Sequence, residues 1–122
     1  MKDEFQDAFG RSIDEMKAAI DRNDPNELPT AIIGVALYHD DPVFAQDVCV
    51  ELATHEHDLV RGNAVLGFGH IARRCGSLDE GAVRPIIESA LNDRSDYVRG
   101  QAWAAAEDVC HFLGWNVSGF SG

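Results

Sequence analysis

Two stretches decide the fold: DLVRGNA at residues 58–64 and DYVRGQA at residues 96–102, which stand 38 positions apart and agree at five of seven positions. Displacing the chain by 38 residues extends the agreement: Asp58, Val60, Arg61, Gly62, Ala64 and Gly76 fall on Asp96, Val98, Arg99, Gly100, Ala102 and Gly114, while Leu59 meets Tyr97 and Ile71 meets Val109. A period near forty is the length of a helix pair. One such pair cannot bury its apolar face alone, so neighbours must stack to close a shared core. The two copies are therefore expected to be one structural joint used twice, not two halves of a chemical site.

Each copy opens a helix. Asp58 starts one that runs to about Arg74 and stops at Gly76, and Asp96 starts one that runs to about Leu113 and stops at Gly114; glycine suits the left-handed residue that ends a helix. Between them Ser77, Leu78, Asp79 and Glu80 begin a helix through Val83, Ile86, Ile87 and Leu91. Upstream, Asp41 can cap and Pro42 can take the first position of a helix carrying Val43, Phe44, Val48 and Leu52. AIIGVALY predicts a helix over roughly 30–39, preceded by turn chemistry in NDPNELP at 23–29. Residues 3–22 place Phe5, Phe9, Ile13, Met16 or Lys17, and Ile20 at intervals of three and four, one apolar stripe on a charged helix. The expectation is one all-α domain over 1–122: a degenerate first pair at 3–39, a second at 41–76, a third at 77–115, and a frayed tail at 116–122.

Charge bounds the function. Residues 1–60 hold 14 acids and 4 bases, whereas residues 61–122 hold 7 acids and 6 bases, for a net charge of −11. Such a surface repels phosphate backbones and anionic membranes and steers a basic partner inward. No apolar run approaches the roughly 18–20 residues of a membrane-spanning helix, and MKDEFQDAFG is acidic where a signal peptide is basic and then apolar; a cytoplasmic, unprocessed protein is expected. Cys49, Cys75 and Cys110 form no CxxC pair, so neither a disulfide framework nor a zinc knuckle is expected.

The runs THEHDLVRGNAVLGFGHIA and LNDRSDYVRGQAWAAAEDV resemble the HEAT repeat, whose second helix carries an Asp, then Val-Arg, then Ala with small or aliphatic residues. The likeness covers residues 41–114 well and implies a short right-handed α-solenoid of about three helix pairs, in which Asp58, Arg61, Asp96 and Arg99 hold adjacent repeats together. Local physics agrees: Asp58 and Asp96 can cap helix N-termini, at about 1 kcal/mol each, while Arg61 and Arg99 sit one turn in, against the helix dipole, unless a carboxylate pairs with each. One HEAT-type enzyme class, resembling deoxyhypusine hydroxylase, binds two irons with His-Glu pairs placed straight after this arginine. Here those slots hold Gly62-Asn63 and Gly100-Gln101; glycine and an amide supply neither imidazole nor carboxylate. HEAT-like DNA glycosylases grip the duplex with a basic face, the opposite of this charge.

Other chemistry is thin. His-Glu-His at 55–57, with Glu51 one turn before His55, offers ligand types but lies at a helix-to-turn junction with no second cluster at proper spacing. His39, His70 and His111 are scattered, and no phosphate loop or nucleophile elbow is present. No catalytic residue, metal or cofactor is expected. Gly62, Gly67 and Gly69 lie inside a helix at roughly 1 kcal/mol each relative to Ala, a cost that close helix packing or an approaching partner backbone would offset.

What remains is protein binding. On the last helix, Val98, Ala102, Ala105, Val109 and Phe112 are predicted to form the core stripe, with Trp103 about a hundred degrees off it, beside Glu107 and near Asp108. Trp103 either anchors an interface or fills the junction with the fourth or fifth helix. Compact acidic chains worded VRGNA and VRGQA are similar to the HEAT-type immunity proteins encoded beside bacterial polymorphic or contact-dependent toxins. That resemblance implies a cognate, basic toxin domain as partner, with nucleases among the activities it could carry, and with Asp47, Glu51, Trp103, Glu107 and Asp108 as contacts. The alternatives are an adaptor or cofactor-lyase scaffold of the same fold and, behind it, a metal-dependent enzyme.

Overall fold

The structure, a computed structural model, describes residues 13–121. Six helices and no strand occupy these residues: α1 (Ile13–Arg22), α2 (Leu28–Tyr38), α3 (Pro42–Leu52), α4 (Asp58–Cys75), α5 (Glu80–Ala90) and α6 (Asp96–Leu113). Of the apolar stripe expected from residue 3, Met16 is fully buried and Ile20 packs on the core, while Phe5 and Phe9 lie outside the described residues.

Local chemistry places the helix ends. Asp41 accepts from the N–H groups of Val43 and Phe44 at 3.0 and 3.3 Å, with Pro42 next, as expected. Gly76 and Gly114 close α4 and α6 at φ 69° and 70°, the left-handed region that carries no penalty in glycine. The caps of α4 and α6 are not the expected Asp58 and Asp96. His57 Nδ1 accepts from Leu59 N–H at 3.3 Å, and Ser95 Oγ accepts from Val98 N–H at 3.3 Å. Both aspartates sit one position later, in the first turn, where a carboxylate still faces the positive end of the helix dipole.

α2, α4 and α6 pack side by side as one row, α4 against both neighbours, and α1, α3 and α5 cover that row, each touching the helix that follows it. The core runs through the row: Ile32 and Val35 of α2, Val60, Val65, Phe68 and Ile71 of α4, and Val98, Ala102, Ala105 and Val109 of α6 are all fully buried. Phe112, expected in that stripe, is 43% exposed. Residues 116–121 do not fray as expected. Val117 is buried, Ser118 N–H donates to Glu88 Oε2 at 2.8 Å, and Trp115 and Phe120 pack on the core.

Glycines set the spacing of the row. A Cβ on Gly62 would stand 2.7 Å from the Tyr97 ring, and one on Gly67 would stand 2.6 Å from Cys49 Sγ. These approaches give mid-helix glycine its packing purpose, and they explain why α4 sits close to α3 and α6 at once.

Candidate functional site

The repeated heptapeptide wires consecutive layers. Arg61 is 5% exposed; its Nε and Nη2 donate to the two carboxylate oxygens of Asp93, each at 2.8 Å, and its Nη1 donates to the carbonyls of His55 and Glu56 at 3.0 and 3.1 Å. The partner lies 32 residues away, in the turn before the second copy. The hydrogen-bonded Asp93 raises the Arg61 pKa, and Arg61 holds the Asp93 carboxyl below its usual range. Arg99 repeats half of this wiring. Its Nη1 donates to the Asp93 carbonyl at 2.6 Å, 38 residues on from the Arg61–His55 bond, but its carboxylate partner is Asp96 of its own turn. Ser95 Oγ donates to Asp58 Oδ2 at 3.0 Å, joining the two helix starts. Arg61 braces successive layers, Arg99 ties the start of α6 to the turn before it, and the two share no pocket.

The positions after each arginine are structural too. Asn63 Nδ2 donates to the Pro29 carbonyl at 2.9 Å, Tyr97 Oη donates to Asn63 Oδ1, and Gln101 Nε2 reaches Tyr97 Oη at 2.9 Å, a polar seam across α2, α4 and α6. At 55–57, His55 Nδ1 accepts from His57 N–H at 3.0 Å and its Nε2 meets Asn23 Oδ1 at 3.1 Å, while His57 caps α4. The described residues hold no group of three or more His, Cys, Asp or Glu side chains placed for a metal ion. Cys49 is fully buried and its thiol is pushed up to about 12 by desolvation, which leaves it protonated and inert.

The five candidate contacts divide between two helices that do not touch, α3 and α6. Asp47 and Glu51, one turn apart, are exposed on α3. Glu51 borders a hollow of about 370 Å³ between α1 and α3, floored by Ile20 and Leu52 and edged by Asp21, Asn23 and His55. Asp21, Asp47 and Glu51 have no ion-pair partner among the described residues. Asp21 and Asn23 escaped the sequence reading of the site; the acid excess before residue 60 was the signal, but their meeting with α3 depends on tertiary packing. On α6, Glu107 is exposed, whereas Asp108 turns toward α4 and pairs with Arg73 at 3.5 Å. Trp103 is 42% exposed and meets Phe120 edge-on, with ring centroids 4.6 Å apart.

Among the described residues no helix is long and apolar enough to cross a membrane. No protein-family model matches the chain, and no curated protein matches it in sequence. Its fold is similar to that of a chain in the crystal structure of a CDI complex from Cupriavidus taiwanensis LMG 19424, with a TM-score of 0.72 at 24% identity over 92% of this chain and 96% of that one.

Proposed function

We propose that the chain is an immunity protein: a catalytically silent, HEAT-like α-solenoid that binds a cognate toxin domain of basic charge in the bacterial cytoplasm and obstructs its working groove. The observation that carries this reading is the likeness in fold, along nearly the whole of both chains, to a component of a CDI complex, CDI being contact-dependent inhibition. Charge supports it. The acids Asp21, Asp47 and Glu51, unpaired among the described residues, give the α1–α3 side a negative field that accelerates encounter with a cationic protein. The repeat supports it as well, since Arg61, Asn63, Tyr97 and Gln101 are consumed in holding the layers together, which leaves the surface to act by binding.

Co-expression is the direct test. A toxin domain encoded beside this chain is expected to arrest growth alone, to be harmless with the chain present, and to co-elute with it. Growth arrest unchanged by the chain, with no complex in size-exclusion chromatography, would remove the proposal.

A further inference from the structure

The face of α4 that receives α6 is repeated in part on α6 itself. On α4, Gly62 lies under the Tyr97 ring, and Gly69 lies under Asp108, where a Cβ would stand 2.6 Å from Oδ2. Arg73 completes the face by pairing with that carboxylate at 3.5 Å. Displaced by 38 residues, these positions are Gly100, Glu107 and His111 of α6. A Cβ on Gly100 would meet no heavy atom within 4 Å. No neighbour among the described residues therefore requires glycine there, although it weakens the helix relative to Ala. Trp103 stands between Gly100 and Glu107, 42% exposed, with Phe120 against its edge. This face keeps one of the two glycine seats of α4, Gly100 for Gly62, puts the carboxylate of Glu107 where α4 has Gly69, and puts His111 where α4 has Arg73, so that the cation met by Asp108 on α4 gives way to a carboxylate on α6.

We propose that this outer face of α6 is the docking surface for a helix of a basic partner, which lays an aromatic side chain over Gly100 and a Lys or Arg against Glu107. The proposal rests on the reading of the chain as a binder of a basic protein, and it says where and with what pattern. The guest positions on α6, Tyr97 and Asp108, are eleven residues apart, about three helical turns. The partner helix is expected to carry its aromatic and its cation at that spacing, with the cation's stem over Trp103. Charge sets aside a second copy of this chain as the occupant, because each copy carries −11 and the guest residue of α6 is itself an acid.

The test uses the intact chain and a lactam-stapled synthetic copy of residues 95–113 carrying Asp96→Lys, Trp103→Leu, Glu107→Lys and Asp108→Lys. Titration calorimetry is run alongside Trp103 fluorescence in a Trp115→Phe background. One-to-one binding with a change in Trp103 emission is expected. Gly100→Leu should weaken it at least tenfold while melting no lower than the parent, since nothing surrounds that position. Glu107→Lys should weaken the lysine peptide at least tenfold and strengthen, by a similar factor, a peptide that retains Asp108. Equal affinity of Gly100→Leu, no exchange of preference with Glu107→Lys, or no binding at millimolar peptide would each overturn the proposal. The two readings separate when a toxin partner is in hand: capture by Gly100→Leu as strong as by the parent sinks this face and leaves the immunity reading standing, whereas no partner at all sinks both.

Discussion

Two arginines in near-identical local sequence should differ severalfold in what they contribute to stability. The side chains of Arg61 and Asp93 are 7% and 13% exposed, and Arg61→Ala removes four hydrogen bonds at once, two to that carboxylate and two to backbone carbonyls. Breaking a buried pair from one side costs about 3–5 kcal/mol, mostly through the charge left behind; Asp93 keeps the N–H of Ser95 at 2.9 Å, which favours the lower end. At about 0.7 kcal/mol per residue of unfolding enthalpy, 1 kcal/mol moves the midpoint of a chain this long by about 4 °C, so Arg61→Ala should melt about 12 °C lower. Arg99 is 41% exposed and its partner Asp96 is 94% exposed, an arrangement worth about 1 kcal/mol or less, so Arg99→Ala should melt within about 4 °C of the parent. Thermal and urea unfolding followed by circular dichroism measures both. The Arg61→Ala, Asp93→Ala pair should fall short of additivity by about 1–3 kcal/mol. Equal losses at the two arginines, or strict additivity in the pair, would refute the assignment of Arg61 as the interlayer brace.

Acid titration should follow the same pair. The folded Asp93 pKa is depressed, so its contribution is complete above the unfolded carboxylate value near 4 and is lost as pH falls through the lower folded value; Asp93→Asn should flatten that limb of the stability curve. His39 is 7% exposed, stacked on Phe44 with centroids 4.5 Å apart, and burial followed by Lys17 lowers its pKa. It favours the neutral ring when folded, so stability should be full above about pH 6.5 and decline as pH falls through the lower folded value, a slope that His39→Phe should remove. Gly67→Ala should destabilise by about 1–3 kcal/mol despite better helix propensity, because its Cβ meets Cys49 Sγ, and Cys49→Ala should restore most of the loss in the same unfolding assay. In native protein, iodoacetamide should label Cys75 and Cys110, both partly exposed, and spare Cys49; early labelling of Cys49 would contradict its burial.

Helix order and helix ends were legible because their causes are local. Apolar spacing, the Asp41-Pro42 start and the two glycine stops each act within a turn of where they stand, and the structure puts α3, α4 and α6 where those signals fall. The brace was half legible. The repeat marked Arg61 and Arg99 as needing carboxylates, but the choice of Asp93 over Asp58 depends on how two layers meet, 32 residues apart in sequence. The cap was misread for a related reason: His57 and Ser95 also carry side-chain acceptors, and one residue of register decides which of two neighbours holds the extended backbone of a cap. Phe112 and the tail show the limit of periodicity. A stripe drawn by spacing cannot know that Phe112 stays 43% exposed near the end of α6, nor that the chain beyond it buries Val117 and sets Phe120 against Trp103.

The heptapeptide is written twice because only the joint has to be the same. Compared across 38 residues, Arg61 agrees with Arg99, each a guanidinium reaching the carbonyl of the preceding turn, and Gly62 agrees with Gly100, of which only Gly62 is held to glycine by a neighbour among the described residues. The positions that disagree, Val65 with Trp103, Gly69 with Glu107 and Arg73 with His111, lie on one helical face, and on α4 that face is covered by α6. On α6 Trp103, Glu107 and His111 are exposed among the described residues, with Phe120 against the edge of Trp103. Under α6 the α4 face carries Val65 and Gly69, whereas an aromatic with an acid one turn on fits the docking surface proposed for α6. On the proposed reading, joint and surface share one helix, and the register of the repeat separates them residue by residue.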